Sequence, residues 1–274
     1  LRGPTAAGHH RRTLPERAMH VLIVVAHPEP QSFNATLART AADAWRAGGH
    51  VATVANLYAD AFDPCEAPRH YADRIDTARF DAQREQRHHW ERGTLASDVA
   101  HHIGLLKQAD ALILQFPLWW FGAPAILKGW MDRIFVYGGL YSSRQRHDRG
   151  VLHGRRALLS VTTGSSAAAC APDGREGDTR LLLWPIMYAL RYVGFDVLEP
   201  HLIHDVRGGL ADDDARQQDA RLARSVADYR TRLRDWPAWP LVPFNRDEDF
   251  DDDARLKPGA PAYSPFIRPA GAGR

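Results

Sequence analysis

The chain has 274 residues, of which 45% are hydrophobic and 25% charged, so a collagen-like, coiled-coil or disordered protein is excluded. Its net charge of +2 gives no indication of binding to nucleic acid or anionic lipid. Only two cysteines, Cys65 and Cys170, argue against a disulfide framework and favour a reducing, cytoplasmic location. No apolar run reaches the length that spans a bilayer, so we expect no membrane insertion.

Strand and helix patterns alternate along the chain. Val21–Ala26 is a continuous apolar run, typical of a strand buried on both faces. A helix follows, for which Asn34 is a suitable N-cap and Gly48 a stop signal. A second strand pattern comes next, and later buried strands are predicted at residues 109–116, 155–163 and 195–203. This alternation predicts an α/β fold, a doubly wound five-stranded parallel sheet with helices on both faces.

The rest of the chain has less regular patterns. Residues 1–18 lack periodicity and are expected to form a disordered N-terminal extension, leaving one domain over residues 19–243. Residues 244–274 are rich in proline and acidic residues, which predicts an irregular or disordered tail. Residues 66–92 are highly charged and are interpreted as a functional excursion or a locally helical decoration.

Open parallel sheets bind ligands at the carboxyl ends of their strands, so the loops after strands one, three and four are the candidate site. Loop one carries no glycine-rich phosphate motif, yet its helix start could hold a phosphate. His27, Ser32 and Asn34 supply donors there, although Ser32 and Asn34 could also simply cap the helix.

The other two candidate loops, after strands three and four, differ in how strongly their sequences indicate a particular ligand. The run Leu118–Phe121 includes two adjacent tryptophans, which suits a flat aromatic ligand, a second subunit or a core. Thr162–Gly164 could bond the polar edge of a heterocycle, whereas Cys170 is interpreted as a passive small residue. The histidine and cysteine spacings match no metal motif, so no metal site is predicted.

Five segments together resemble the NAD(P)H:quinone oxidoreductases of the DT-diaphorase type, a family with a flavodoxin-like fold. The resemblance extends from about residue 20 to about residue 243 and is most specific around the two tryptophans. Its segments are Val21–Asn34, Leu112–Phe135, Leu158–Gly164, Leu181–Ile186 and Gly194–Pro200.

The resemblance implies a ping-pong enzyme. Such a protein moves two electrons as hydride from NADH or NADPH, through FAD in preference to FMN, to a quinone or similar planar acceptor. It also implies a homodimer with each active site at the interface, where Tyr141 would be a substrate-pocket residue of the partner's site. The cofactor residues it implies are His27, Ser32, Phe33 and Asn34 for the pyrophosphate and ribityl chain, Pro117, Leu118, Trp119, Trp120 and Phe121 for the flavin ring, and Thr162, Thr163 and Gly164 for its polar edge.

The chain departs from the family at two catalytic positions. Cys170 and Glu176 stand where the animal enzymes have a tyrosine and a histidine. We therefore expect flavin reduction to survive while quinone preference and rate differ, and a carboxylate at Glu176 could disfavour anionic reduced flavin. Two alternatives stay open: a nitro- or azo-compound reductase, and a flavin-binding ancillary subunit of a potassium-efflux transporter.

Overall fold

A parallel sheet forms the centre of the protein, described here from a computed structural model over residues 17–269. The predicted N-terminal extension therefore lies, except for its last two residues, outside the described residues. The sheet order is β2-β1-β3-β4-β5, with β6 also paired to β4, and every pairing is parallel. The strands are β1 (His20–Val25), β2 (Val51–Asn56), β3 (Ala111–Pro117), β4 (Arg156–Thr162), β5 (Asp196–Val197) and β6 (His201–Ile203).

The three central strands are buried on both faces, as their continuous apolar runs predict. Every residue of β3 is buried, and in β1 and β4 only the first residue is partly exposed. Helices cover both sides of these strands, which confirms the predicted doubly wound α/β fold. The helices are α1 (Phe33–Ala47), α2 (Ala82–Arg92), α3 (Ser97–Gln108), α4 (Ala125–Ile134), α5 (Thr179–Tyr192) and α6 (Asp212–Arg234).

The predicted fifth strand is divided into two short strands. β5 pairs with the start of β4, and β6 pairs with the end of β4. Pro200 lies between them and has no backbone N–H to donate to a ladder, which accounts for the interruption. The consequence is that β6 brings a further loop to the carboxyl edge of the sheet.

The charged segment 66–92 carries α2 and is held to the body by buried polar groups. Gln86 is 4% exposed, and its Nε2 donates to the backbone oxygen of Asp132 at 3.4 Å. Its Oε1 accepts the backbone N–H of Tyr137 at 3.1 Å. The interpretation as a locally helical decoration is therefore correct for the second half of this segment.

The tail from residue 244 packs along α5 with little regular structure. Phe266 lies against Trp184, with ring centroids 4.9 Å apart, and Phe244 lies 6.0 Å from Tyr188. The domain boundary at residue 243 stays a prediction. Among residues 17–269, no helix combines the length and apolar character needed to cross a membrane.

Candidate active site

Loops after β1, β3, β4 and β6 enclose a cavity of about 500 Å³ at the carboxyl edge of the sheet. This is the edge at which an open parallel sheet binds its ligands. Ten of the twelve residues that the resemblance assigns to the cofactor line this cavity: His27, Ser32, Phe33, Asn34, Pro117, Leu118, Trp119, Thr162, Thr163 and Gly164.

The start of α1 can bind an anion within this cavity. Ser32 is the N-cap, and its Oγ accepts the backbone N–H of Ala35 at 3.1 Å. The N–H groups of Phe33 and Asn34 have no partner in the described part of the chain. Two unpaired donors at the positive end of a helix dipole favour a phosphate group.

His27 adds a side-chain donor to the same cavity. Its Nδ1 accepts the backbone N–H of Glu29 at 3.0 Å, so the neutral imidazole carries its proton on Nε2. The ring also contacts Trp119, with centroids 5.8 Å apart. Because Nδ1 is engaged, Nε2 is the nitrogen that can donate to a ligand oxygen.

Asn34 lies inside the first turn of α1, so its assignment as the helix N-cap is wrong. Its side chain is 3% exposed, and its Nδ2 donates to Thr162 Oγ1 at 3.0 Å. Gln115 Nε2 donates to Asn34 Oδ1 at 2.8 Å. These bonds join α1 to the ends of β3 and β4, and they leave the backbone N–H of Asn34 for a ligand.

The hydroxyl of Thr163 is engaged by protein groups. It donates to the backbone oxygen of Ser165 at 2.9 Å, and its oxygen lies 2.9 Å from His204 Nδ1. Because the hydroxyl proton is already used, the oxygen accepts from Nδ1–H. Burial lowers the pKa of His204, with the carboxylate of Asp205 opposing the shift, so the ring is neutral at pH 7.

Hydrogen bonds to the polar edge of a ligand are therefore left mainly to the backbone after β4. The N–H groups of Gly164 and Ser165 have no partner among residues 17–269. The hydroxyl of Thr162 accepts from Asn34 and keeps its own proton to donate. This part of the site can donate to ring carbonyl and nitrogen atoms through Thr162 and Gly164, whereas the Thr163 hydroxyl is held by Ser165 and His204. The binding roles of all three residues stay predictions.

The loop after β3 is a tight hairpin with aromatic residues at its tip. Trp119 and Gly122 exchange two backbone hydrogen bonds of 3.0 Å. Trp120 and Phe121 between them have φ values of 48° and 62°, a left-handed conformation that costs a residue with a side chain about 1–2 kcal/mol. Trp120 is nevertheless 95% exposed and Phe121 52% exposed, so this strained turn presents two aromatic rings to the solvent.

A second cavity of about 220 Å³ lies beside this hairpin and shares Leu118, Thr163 and Gly164 with the first. It contains the four predicted residues Trp120, Phe121, Cys170 and Glu176, together with Ser165, Thr179 and Leu182. Among the described residues, no group of three His, Cys, Asp or Glu side chains could hold a metal ion. The two adjoining cavities are lined mainly by aromatic and aliphatic side chains, hydroxyls and backbone amides, with Arg207, Gln218 and Glu176 as further polar side chains.

A family model with the description "flavodoxin-like fold" matches residues 19–226. The chain belongs to this flavodoxin-like family. It is 40% identical over 184 residues to human ribosyldihydronicotinamide dehydrogenase [quinone], covering 66% of this chain and 80% of that protein. It is 38% identical over 199 residues to rat NAD(P)H dehydrogenase [quinone] 1, covering 72% of each.

A solved structure agrees with these sequence relatives. It comes from Klebsiella pneumoniae and is described as a quinone reductase. The TM-score is 0.79 at 30% identity, covering 94% of this chain and 98% of that one. The match to quinone oxidoreductases that the sequence motifs indicated is thus confirmed.

The loop after β6 brings residues to the flavodoxin-like site that sequence reasoning missed. Gln218 on α6 donates to the backbone oxygen of Arg207 at 2.8 Å and accepts its N–H at 2.9 Å. This clamp holds the loop against the cavity, which Val206, Arg207, Gly208, Gln218 and Leu222 complete. The signal available in the sequence was the Gly208-Gly209 pair, separated by four residues from the last strand.

Tyr141 lies apart from both cavities of its own chain. Its hydroxyl accepts from Gln83 Nε2 at 3.3 Å, and its ring contacts Tyr137 and Tyr192. Burial raises the pKa of Tyr141, so the phenol stays protonated at pH 7. The sequence-based role for Tyr141 across a dimer stays a prediction.

Proposed function

We propose that this protein is a flavin-dependent NAD(P)H:quinone oxidoreductase that transfers two electrons in a ping-pong cycle. The observation that supports this most is the pair of joined cavities. One offers unpaired N–H groups at a helix start for a phosphate, and the other offers aromatic rings for a planar acceptor. The named sequence relatives and the solved structure with this fold are all described as quinone-linked oxidoreductases.

The residues of the chain position and polarise the reactants. When bound, the flavin supplies the chemistry, accepting hydride from NAD(P)H and returning two electrons to a quinone that also takes up protons. Phe33, Asn34 and His27 would bind the pyrophosphate through N–H donors. Gly164 and Ser165 would donate to the polar edge of the ring, and Trp119 would contact its face.

We propose FAD rather than FMN because a further groove extends from the first cavity. This groove of about 530 Å³ shares Arg207 and Gln218 with that cavity and also contains Arg221 and Arg224. FMN would end at its phosphate, whereas FAD would extend its adenosine half into such a groove.

A homodimer in the cytoplasm is also part of this proposal. The tip of the 119–122 hairpin and the outer face of α5 expose Trp120, Phe121 and Leu181. A partner subunit would cover such apolar surface and could bring its own Tyr141 to this site. The two cysteines of the chain are both free, which suits a reducing compartment.

The test is to purify the protein, record its visible spectrum and identify the flavin released by acid. NADH and NADPH oxidation is then followed with a neutral naphthoquinone, and the mass in solution is measured by sedimentation. We expect yellow protein, released FAD, quinone-dependent oxidation and a dimer. Colourless protein that takes up no added flavin would contradict the enzyme assignment, and released FMN would contradict the role given to the groove.

A further inference from the structure

The lining of the second cavity carries a net negative charge. Of the ten residues that line it, Glu176 is the only one with a formally charged side chain. The others are aliphatic, aromatic, hydroxyl, glycine and thiol groups. A planar ligand beside the hairpin would therefore meet a single negative charge and no positive one from the lining.

The carboxylate of Glu176 is also unpaired. Its backbone N–H donates to Ala169 at 2.9 Å, but its side chain makes no hydrogen bond or ion pair within residues 17–269. Two neighbouring side chains are already engaged, since Thr179 Oγ1 donates to the backbone oxygen of Cys170 and Cys170 Sγ to Thr163 Oγ1. The backbone N–H groups of Gly164 and Ser165, which also line the cavity, have no partner among residues 17–269. The carboxylate thus keeps its full acceptor capacity for a ligand.

The rings of the hairpin favour the same kind of ligand. Trp120 and Phe121 line the cavity, and an exposed indole is the best cation–π partner among the side chains. An apolar cavity of about 150 Å³ binds benzene in another protein, so 220 Å³ suits a ligand of one or two rings. A ring face beside an unpaired carboxylate is the combination that binds a flat organic cation.

We propose that the second cavity selects planar acceptors that carry a positive charge, and that Glu176 is the residue that determines this specificity. The proposal rests on the proposed quinone-reductase function and narrows its substrate class. A cationic acceptor would be bound by attraction to both the carboxylate and the rings. A neutral quinone would be bound by contact with the rings alone, and an anionic acceptor would be repelled by the carboxylate.

The test uses three naphthoquinones that differ only in one substituent: trimethylammoniomethyl, methyl or sulfonatomethyl. The value of kcat/KM is measured for each with the wild-type protein, Glu176→Gln, Glu176→Asp and Asp173→Asn. Asp173 is exposed in the same loop but does not line the cavity, so its variant makes the same charge change as a matched control. Equilibrium dialysis of the three corresponding naphthalenes, which cannot be reduced, gives binding constants without any turnover.

We expect the ratio of cation to anion to fall about tenfold in Glu176→Gln, in both kcat/KM and binding. Glu176→Asp should retain the preference, and Asp173→Asn should match the wild type. A ratio unchanged in Glu176→Gln, or lowered equally in Asp173→Asn, overturns the proposal while leaving neutral-quinone reduction intact. Failure of the wild type to reduce the neutral quinone would instead refute the proposed function.

Discussion

His201 illustrates how burial of one side chain makes the protein sensitive to acid. Its ring stacks on Tyr229 with centroids 4.2 Å apart, and its Nε2 has no hydrogen-bond partner. Burial, and after it the positive charge of Arg232, lowers the pKa of His201 to about 4. The imidazole is therefore neutral in the folded protein at pH 7, and protonating it requires placing a charge where nothing solvates it.

Stability should fall as the pH drops from 7 to 4. The unfolded chain binds a proton at His201 near pH 6.5, and the folded chain does so only near pH 4. Between pH 6.5 and pH 4, this difference between the pKa values of His201 in the unfolded and folded chain lowers the free energy of unfolding by up to about 3 kcal/mol. Urea unfolding at several pH values should show a shallower loss in His201→Phe than in the wild type. His153→Phe, at an exposed site, should lose stability like the wild type, and identical pH profiles for all three proteins would refute the prediction.

In the hairpin at residues 119–122, the backbone conformation disfavours the large side chains that the hairpin carries. Two-residue hairpin turns with positive φ at both positions prefer glycine or asparagine, yet here they carry Trp120 and Phe121. Nothing in the fold requires large rings at this exposed tip. A planar ligand or a partner subunit would use these rings, since an aromatic contact contributes about 0.5–1.5 kcal/mol beyond the area it buries.

Two substitutions at Trp120 separate strain from ring contact. Trp120→Ala loses the ring but keeps a Cβ in the left-handed conformation, whereas Trp120→Gly loses both. We expect Trp120→Gly to be more stable than Trp120→Ala to urea by about 1 kcal/mol. Both variants should raise KM for a planar acceptor about fivefold. Equal stability of the two variants would mean that the turn stores no strain.

On the scale of the whole molecule, a charged contact ties the tail to the sheet domain. Arg191 at the end of α5 forms an ion pair with Asp148, and the other carboxylate oxygen of Asp148 accepts the backbone N–H of Asp247 at 2.6 Å. Burial alone would raise the pKa of Asp148, but these two hydrogen bonds together lower it below its usual value. One carboxylate therefore connects α5 with the tail.

Asp148→Asn should loosen the tail. It leaves the guanidinium of Arg191, with a side chain only 10% exposed, without its negative partner, and we expect a loss of about 1–2 kcal/mol. Limited proteolysis followed by mass spectrometry should show faster cleavage within residues 244–269. Arg149→Gln, which breaks an exposed pair with Asp247, is the control and should change little. Equal cleavage in both variants would show that the tail is held by other contacts.

Structural features that depend on a few neighbouring residues could be predicted from the sequence, whereas features that depend on contacts between distant residues could not. The buried strands and the approximate start of α1 could be predicted from runs and caps of a few residues, although the N-cap is Ser32 and not the predicted Asn34. The role of Asn34 could not, because its partners Gln115 and Thr162 are distant in the chain and meet it only in the folded sheet. The same holds for Arg207 and Gln218, which meet through two hydrogen bonds between the loop after β6 and α6 only in the folded protein.

The pairing of β1 with β3 also has a kinetic consequence. Val21 is hydrogen-bonded in register with Ala111, so about ninety residues of chain, including β2 and the charged segment, must be looped out before these strands join. Parallel pairings of this range make folding slow, because the entropy of closing the loop is lost before the contacts form. The binding cavity uses the ends of β1, β3, β4 and β6, and it exists only after that closure. Newly made chains must therefore complete the sheet before they can capture a cofactor, and an excess of free cofactor should shift the folding equilibrium without accelerating the folding step.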